Sequence, residues 1–67
     1  MRVTDNFKAR LWLDNRKAWK IAVEAGVNPT VLSRIVGGHE KLRANDDRVV
    51  RIGKILGLSP DQCFNQD

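Results

Sequence analysis

Cysteine and histidine are almost absent from this chain, which has Cys63 and His39 as its single examples. A lone cysteine cannot form an internal disulfide, and one thiol with one imidazole is too few for a zinc site unless carboxylates or a second chain contribute ligands. We therefore expect no metal and no other cofactor, and a fold held together by packing alone.

The sequence also lacks a long apolar run. No stretch approaches the roughly 20 residues that span a bilayer, and residues 1–10 carry charges where a secretory signal would be apolar. We expect a soluble, cytoplasmic protein that is not exported and has no membrane partner.

Catalytic motifs are missing as well. The chain has no glycine-rich phosphate loop, no histidine-containing triad and no paired metal ligands. Its 67 residues are fewer than the roughly 100 to 150 of a typical domain, which allows one small domain over 1–67 and no enclosed cleft. These absences predict that the protein is not an enzyme.

Positive charge is what the composition does supply. Lysine and arginine number 12 against 8 acidic residues, which gives a net charge of +4. Hydrophobic residues make up 42% of the chain, too many for a disordered basic tail. The composition therefore favours a folded domain with an anionic partner, most simply nucleic acid.

Glycine and proline are scarce, and most of the glycines stand where a helix would stop. Between them the apolar residues recur at spacings of three and four residues, with no sustained two-residue alternation. This pattern predicts an all-α domain of five helices. The predicted helices cover about residues 5–15, 17–25, 29–37, 46–56 and 60–65, and the last three residues are expected to fray.

Residues that cap helices support these boundaries. Serine, threonine, asparagine and aspartate accept hydrogen bonds from the free N–H groups of a first helical turn, and proline suits the first helical position. The predicted caps are Thr4 or Asp5, Asn28 followed by Pro29, Asn45, and Ser59 in a capping box with Gln62.

The third predicted helix has two different faces. At 100° per residue, Leu32 and Ile35 fall in an apolar arc flanked by Val31 and Val36. The opposite arc is short, polar and basic, and contains Thr30, Ser33, Arg34 and Gly37.

Other apolar residues are predicted to be buried in the core. Phe7 and Leu11 stack on the first helix, Phe64 is buried near the end, and Cys63 before it is expected to be a small, half-buried hydrophobic residue. The stripe of the fourth helix consists of Val49, Ile52, Gly53 and Leu56. We also expect Trp19 and Val23 to be covered, either by the first helix or the N-terminal segment, or by a partner.

The segments Ile21 to Val27 and Thr30 to Ile35, followed by Gly38, resemble the helix-turn-helix of the lambda-repressor-like family, which includes phage repressors, Cro and many bacterial regulators. The resemblance extends over about Phe7 to Phe64. It implies a compact five-helix domain whose third helix enters the major groove of double-stranded DNA, commonly as half of a homodimer on a near-palindromic operator. It further implies a transcriptional repressor, associated with the nucleoid when bound.

Site residues follow from the same resemblance. Arg34 has the chemistry to donate two hydrogen bonds to guanine, and Thr30 can bond a base edge or a phosphate. The implied base-reading residues are Pro29, Thr30, Val31, Ser33 and Arg34. The implied phosphate-binding residues are Lys17, Asn28, His39, Lys41 and Arg43. Where many family members have a glutamine at the start of the second helix, this chain has Ala18.

Alternative interpretations stay open at this point. Arg34 and the loop residues could be solvated surface groups. A protein-interaction module on the same fold, such as an antitoxin or anti-activator, could grip a partner through Trp12, Trp19 and Val23. RNA binding ranks below both, because the chain has no tyrosine and no aromatic ladder on strands for base stacking.

Overall fold

The computed structural model describes residues 1–65, and helices form most of this part of the chain. In chain order the elements are β1 (Arg2–Val3), α1 (Asp5–Leu13), α2 (Ala18–Glu24), α3 (Pro29–Val36), α4 (Asp47–Ile55), α5 (Pro60–Cys63) and β2 (Phe64–Asn65). The prediction of a helical fold with five helices is confirmed for these residues. None of their helices combines the length and the apolar composition needed to cross a bilayer.

Three helices begin at the residues that the capping pattern predicts. The side-chain oxygens of Thr4 and Asn28 accept backbone N–H groups of the following turn at 3.0 and 2.8 Å. The Gln62 side-chain oxygen accepts the Ser59 N–H at 2.9 Å, which completes the predicted capping box. These starts were predictable because both partners of each bond lie within one turn.

Helix α1 ends two residues earlier than predicted. Asp14 leaves the helix with a ψ of 143°, and its carboxylate accepts the Arg16 backbone N–H at 2.9 Å and the Arg16 Nε–H at 3.0 Å. These bonds hold the chain in a bend where the prediction continued the helix to residue 15. Helices α2, α3 and α4 are one residue shorter than predicted at one or both ends, a difference common at frayed helix ends.

The cap of α4 is Asp46, so the prediction of Asn45 is wrong. The Asp46 carboxylate accepts the Arg48 N–H at 3.1 Å. Asn45 instead adopts a positive φ of 53°, a conformation that asparagine tolerates better than most residues. The chain turns at Asn45 and the helix starts one residue later.

The strands β1 and β2 pair antiparallel, and no pattern in the sequence predicts them. Arg2 lies opposite Asn65 and Val3 opposite Phe64. Phe64 is buried as predicted but extended, so α5 ends at Cys63 and the predicted continuation to residue 65 is wrong. Asn65 is paired where fraying was expected, and residues 66–67 lie outside the described part. Strands of two residues are too short to show an alternating pattern.

One core joins all of these elements. Its buried apolar side chains come from every helix and both strands, and the predicted stripe of α4 is buried throughout. The core consists of Val3, Phe7, Leu11, Ile21, Ala22, Ala25, Val27, Leu32, Ile35, Leu42, Val49, Ile52, Leu56, Leu58, Cys63 and Phe64.

Helices α4 and α5 approach each other closely at Gly53. A Cβ atom added at Gly53 would collide with the Cys63 Sγ atom, because the helices touch at this point. Cys63 is fully buried, which raises the pKa of its thiol, and its Sγ–H group donates to the Ser59 carbonyl at 3.3 Å. The glycine is thus required by packing and the cysteine fills the remaining space.

We expect Gly53→Ala to lower the free energy of unfolding by about 1 to 3 kcal/mol, the usual cost of overpacking a core. Urea denaturation measures the change. The control is the double variant Gly53→Ala with Cys63→Ala, which removes the colliding sulfur and should recover part of the loss. If the losses in free energy of unfolding caused by Gly53→Ala and by Cys63→Ala simply add in the double variant, the collision between the two positions is contradicted.

Candidate nucleic-acid interface

Helices α2 and α3 are joined by a short turn that fixes their relative direction. Gly26 has a φ of 72°, and the Val27 N–H donates to the Ala22 carbonyl at 2.8 Å, so the chain reverses immediately after α2. Ala22 and Ala25 are small and buried, which allows α2 to pack closely on α3. This packing holds α3 in one orientation on the domain.

Helix α3 has the two faces that its sequence predicts. Leu32 and Ile35 are buried in the core. Thr30, Ser33 and Arg34 are exposed on the other side of the helix. The buried pair fixes the helix, and the polar side chains are presented to solvent along its length.

All the residues predicted to read bases therefore lie on one short helix. Pro29 occupies its first position and is exposed, whereas Val31 is half-buried at the edge of the core and offers only part of its surface. Arg34 has the longest reach, with 59% of its side chain exposed.

The residues predicted to bind phosphate fall into two groups, and all of them are exposed. Lys17 and Asn28 stand at the N-caps of α2 and α3. His39, Lys41 and Arg43 lie in the loop after α3. The Asn28 side-chain oxygen is engaged in its cap, so the groups that this side chain can still offer an anion are its amide N–H donors.

A network of ion pairs holds the loop after α3 in place. The Glu40 carboxylate lies 3.3 Å from Arg34 Nε and 2.7 Å from Arg48 Nη1. Arg48 also donates to both Asp46 oxygens, from Nε at 3.0 Å and from Nη2 at 2.9 Å, and to the Lys41 carbonyl at 3.3 Å. Glu40 therefore connects α3 to the start of α4.

Asp46 is the most buried residue of this ion-pair network, and the N–H groups around it keep its carboxylate ionised. Hydrogen bonds from the Arg48 side chain lower the pKa of Asp46 to about 2, and the backbone N–H groups of Arg43 and Arg48 act in the same direction, against the opposing effect of burial. The same contacts raise the pKa of Arg48. The loop is thus pinned on both sides of Leu42, a buried residue between exposed Lys41 and Arg43.

Sequence reasoning missed Glu40 and Arg48 entirely. Glu40 lies in a polar loop and Arg48 lies in the amphipathic helix α4, eight residues further along the chain. Helical spacing relates residues three or four apart, so no local pattern connects this pair.

The expectation that the chain itself covers Trp19 and Val23 is wrong within residues 1–65. Trp19 is 53% exposed and Val23 58%. Trp12 is 74% exposed on α1. Apolar character predicted burial, but it does not specify what does the covering, and neither α1 nor the N-terminal segment does so.

Metal ligands do not come together in the part of the chain that the structure describes: no three histidine, cysteine, aspartate or glutamate side chains are grouped as a metal ion would require. Comparisons with known protein families, characterised proteins and solved structures gave no match. A functional assignment therefore depends on the chemistry of the residues described above.

Proposed function

We propose that this chain is a sequence-specific double-stranded DNA-binding transcription regulator, most simply a repressor, that reads an operator through the major groove with α3. The observation that carries the proposal is the exposed side of α3, with Thr30, Ser33 and Arg34 on a helix fixed by a buried opposite face. A helix of this kind fits the width of the major groove, and these side chains can hydrogen-bond base edges.

The surroundings of Arg34 suit it to guanine. Glu40 contacts Arg34 on its Nε side, which leaves both terminal nitrogens of the guanidinium as donors. Two parallel donors are what the O6 and N7 atoms of guanine accept. We infer that Glu40 is a positioning residue, which orients Arg34 before DNA arrives.

The cationic residues around α3 suit a phosphate backbone. Lys17 lies before α2, and Lys41 and Arg43 lie in the loop that follows α3. Phosphate contacts of this kind fix the register of a protein on DNA, whereas base contacts supply specificity. Pinning of the loop by Asp46 and Arg48 presents its two cations in a defined place.

We further propose that α2 and α3 form the helix-turn-helix of the lambda-repressor-like family, and that two copies occupy a near-palindromic operator. The order of five short helices and the turn at Gly26 support the family. One helix of eight residues reads few base pairs, so a second copy about one helical turn away would double the contacts.

Selection of bound sequences from random double-stranded DNA tests this proposal most directly. The expected result is a motif with two inverted half-sites whose centres are about 10 base pairs or a multiple apart. Failure to enrich any motif would contradict a sequence-specific regulator, and a motif without symmetry would contradict the dimer.

Arg34→Ala is expected to cost about 1 to 3 kcal/mol of binding free energy on the selected DNA and to relax the preference at one guanine of each half-site. Arg34→Lys is the matched control, because it keeps the charge but loses the two-pronged donor. Fluorescence anisotropy with labelled duplexes measures both. If Arg34→Ala weakened binding to selected and random DNA equally, Arg34 would be a phosphate contact instead.

Salt dependence separates the phosphate contacts from the base contacts. Lys41→Ala and Arg43→Ala should each flatten the slope of log affinity against log salt by about one unit, because each removed phosphate contact releases one fewer counterion. Specificity should survive. Lys54, exposed near the end of α4, provides the control, and its change to alanine should leave the slope unaltered. Unchanged slopes in the loop variants would count against this role.

A second candidate function is a protein-interaction module on the same fold. It is favoured by Trp12, Trp19 and Val23, large apolar side chains that residues 1–65 leave more than half exposed. Exposed aromatic residues are frequent anchors of protein interfaces. A regulator can combine both functions, since Thr30 and Arg34 on α3 lie outside the groove that Trp12 and Trp19 line.

A further inference from the structure

An open apolar groove of about 400 Å³ runs along one edge of the exposed side of α3. Pro29, Ser33 and Gly37 line it at the four-residue spacing that places residues on one side of a helix. Trp12 on α1 and Trp19 on α2 line the same groove. Because Pro29 and Ser33 are among the residues that we propose to read bases, the groove is continuous with the proposed DNA interface.

The other edge of the exposed side of α3 has a different neighbour. At 100° per residue, Pro29 and Arg34 lie about 140° apart around the helix axis, with Thr30 between them. Arg34 contacts Glu40, so this second edge borders the cationic loop after α3. The exposed side of α3 therefore lies between that loop and the two tryptophans.

A helix seated in the major groove lies between two sugar–phosphate backbones. The helix with its side chains is about 10 to 12 Å across and the major groove is about 12 Å wide, so residues flanking the helix come close to both strands. The loop after α3 supplies cations for one backbone. The other backbone would pass the apolar groove. Two residues proposed to bind phosphate, Lys17 and Asn28, directly precede Ala18 and Pro29 of its lining.

The two tryptophans have the chemistry for a backbone contact. Both are more than half exposed, and the hydrogen bonds of residues 1–65 use neither indole N–H group. An indole N–H only donates hydrogen bonds, and the phosphate oxygens of DNA accept them. The apolar ring can pack against the C–H groups of a deoxyribose. None of the groove's lining residues is charged, so no carboxylate within it repels the phosphates.

We propose that Trp12 and Trp19 contact the sugar–phosphate backbone on the groove side of α3, with their indole N–H groups donating to phosphate oxygens and their rings packing on the adjoining deoxyribose. This inference rests on the proposed function. Backbone contacts carry no direct sequence information, and a neutral donor replaces no condensed counterion. The tryptophans should therefore add affinity without altering either the sequence preference or the salt dependence, unlike Arg34 and the loop cations.

Both tryptophans of the chain line the groove, so their emission reports whether DNA covers it. The probe is the duplex carrying the selected motif, unlabelled for emission and labelled for anisotropy. We expect the emission to change with the same midpoint as the anisotropy. Emission that stays constant while the duplex binds would overturn this inference and leave the proposed function intact. If no duplex binds, the proposed function fails and this inference fails with it.

Substitutions of exposed residues test the contact itself. Trp19→Ala should weaken the selected duplex and a random duplex by the same factor, about tenfold, and leave the slope of log affinity against log salt unchanged. Trp19→Phe keeps an apolar ring but loses the N–H group, so its affinity should fall between the two. Val23→Ala is the matched control: Val23 is exposed on the same helix but does not line the groove, and affinity should stay within about twofold.

Three results of this series would overturn the inference. The first is a Trp19→Ala protein that binds like the parent. The second is a loss confined to the selected motif, which would make Trp19 a base contact. The third is an equal loss in Val23→Ala. Circular dichroism melts accompany the series, and unaltered unfolding temperatures separate a lost contact from a damaged fold.

Duplexes with one methylphosphonate locate the contact, because this group removes the charge of a single phosphate. One substitution on the groove side should weaken the parent protein by about five- to tenfold and have little further effect on Trp19→Ala, since the two changes remove the same contact. Substitutions on the loop side should keep their full effect in Trp19→Ala. If every substitution weakens Trp19→Ala as much as the parent, no phosphate depends on Trp19 and the inference is wrong.

Discussion

Ile35→Ala lowers the free energy of unfolding by about 2 to 5 kcal/mol in our expectation, because it leaves a cavity in a core that packs around this side chain. Ile35 is almost fully buried on the inner face of α3. Chemical denaturation followed by circular dichroism measures the loss. The free energy of unfolding of a domain is only roughly 0.05 to 0.15 kcal/mol per residue. A loss of about 5 kcal/mol would therefore approach complete unfolding of this small protein.

Two further variants make this result interpretable. Ile35→Val removes one methylene and should cost about 0.5 to 1.5 kcal/mol. Thr30→Ala, on the exposed side of the same helix, should change stability by less than about 0.5 kcal/mol. An Ile35→Ala protein as stable as the parent would show that α3 does not pack with this face inwards, and the assignment of its outer face would fail with it.

Asp46→Ala should lower the free energy of unfolding by about 2 to 4 kcal/mol, since it removes a helix cap and the carboxylate that accepts from both Nε and Nη2 of Arg48. The matched control is the neighbouring residue: Asp47 pairs with Arg51 at 3.0 Å but is largely exposed. Its change to alanine should cost less than about 1 kcal/mol, as exposed ion pairs do. Equal losses in the two variants would contradict the central place given to Asp46.

The contribution of Asp46 should also depend on pH. Its pKa in the folded protein is about 2, below the ordinary value of 3.8, so protonation disfavours the folded state. The ionised carboxylate contributes fully above about pH 4, and this part of its effect, on the order of 1 to 2 kcal/mol, disappears as the pH falls towards 2. The stability difference between the parent and Asp46→Ala should shrink over that interval. Asp14, whose pKa Arg16 also lowers to about 2, titrates in both proteins and cancels from the difference.

Features of the fold that involve residues close in sequence were predictable, and contacts between residues far apart in sequence were not. The caps at Thr4 and Asn28 involve residues within one turn, and the burial of Leu32 and Ile35 follows from helical periodicity. The pairing of β1 with β2 joins segments about 60 residues apart through backbone groups, which no side-chain pattern reveals. Asn45 and Asp46 are both good caps, and the left-handed turn at Asn45 decided between them.

The candidate site also combines features that the sequence predicts with contacts that it does not. The exposed face of α3 could be predicted because one periodicity places both its buried and its solvent-facing residues. The contact of Glu40 with Arg34 and Arg48 could not, because a loop has no periodicity and three elements must fold before these groups meet. Apolar character suggested that Trp19 would be covered, yet a hydrophobic side chain can also serve an interface.

Four of the seven arginines and none of the five lysines form ion pairs within residues 1–65. The planar groups of these four arginines hold carboxylates in fixed directions. The five lysines contribute charge without being tied to a carboxylate there, and neutralising all of them by acetylation would take the formal charge from +4 to −1. Such a modification would invert the electrostatic character of the molecule while leaving its internal bracing intact. The part of the attraction for an anionic partner that the lysines supply can therefore vary independently of the ion pairs that hold the fold.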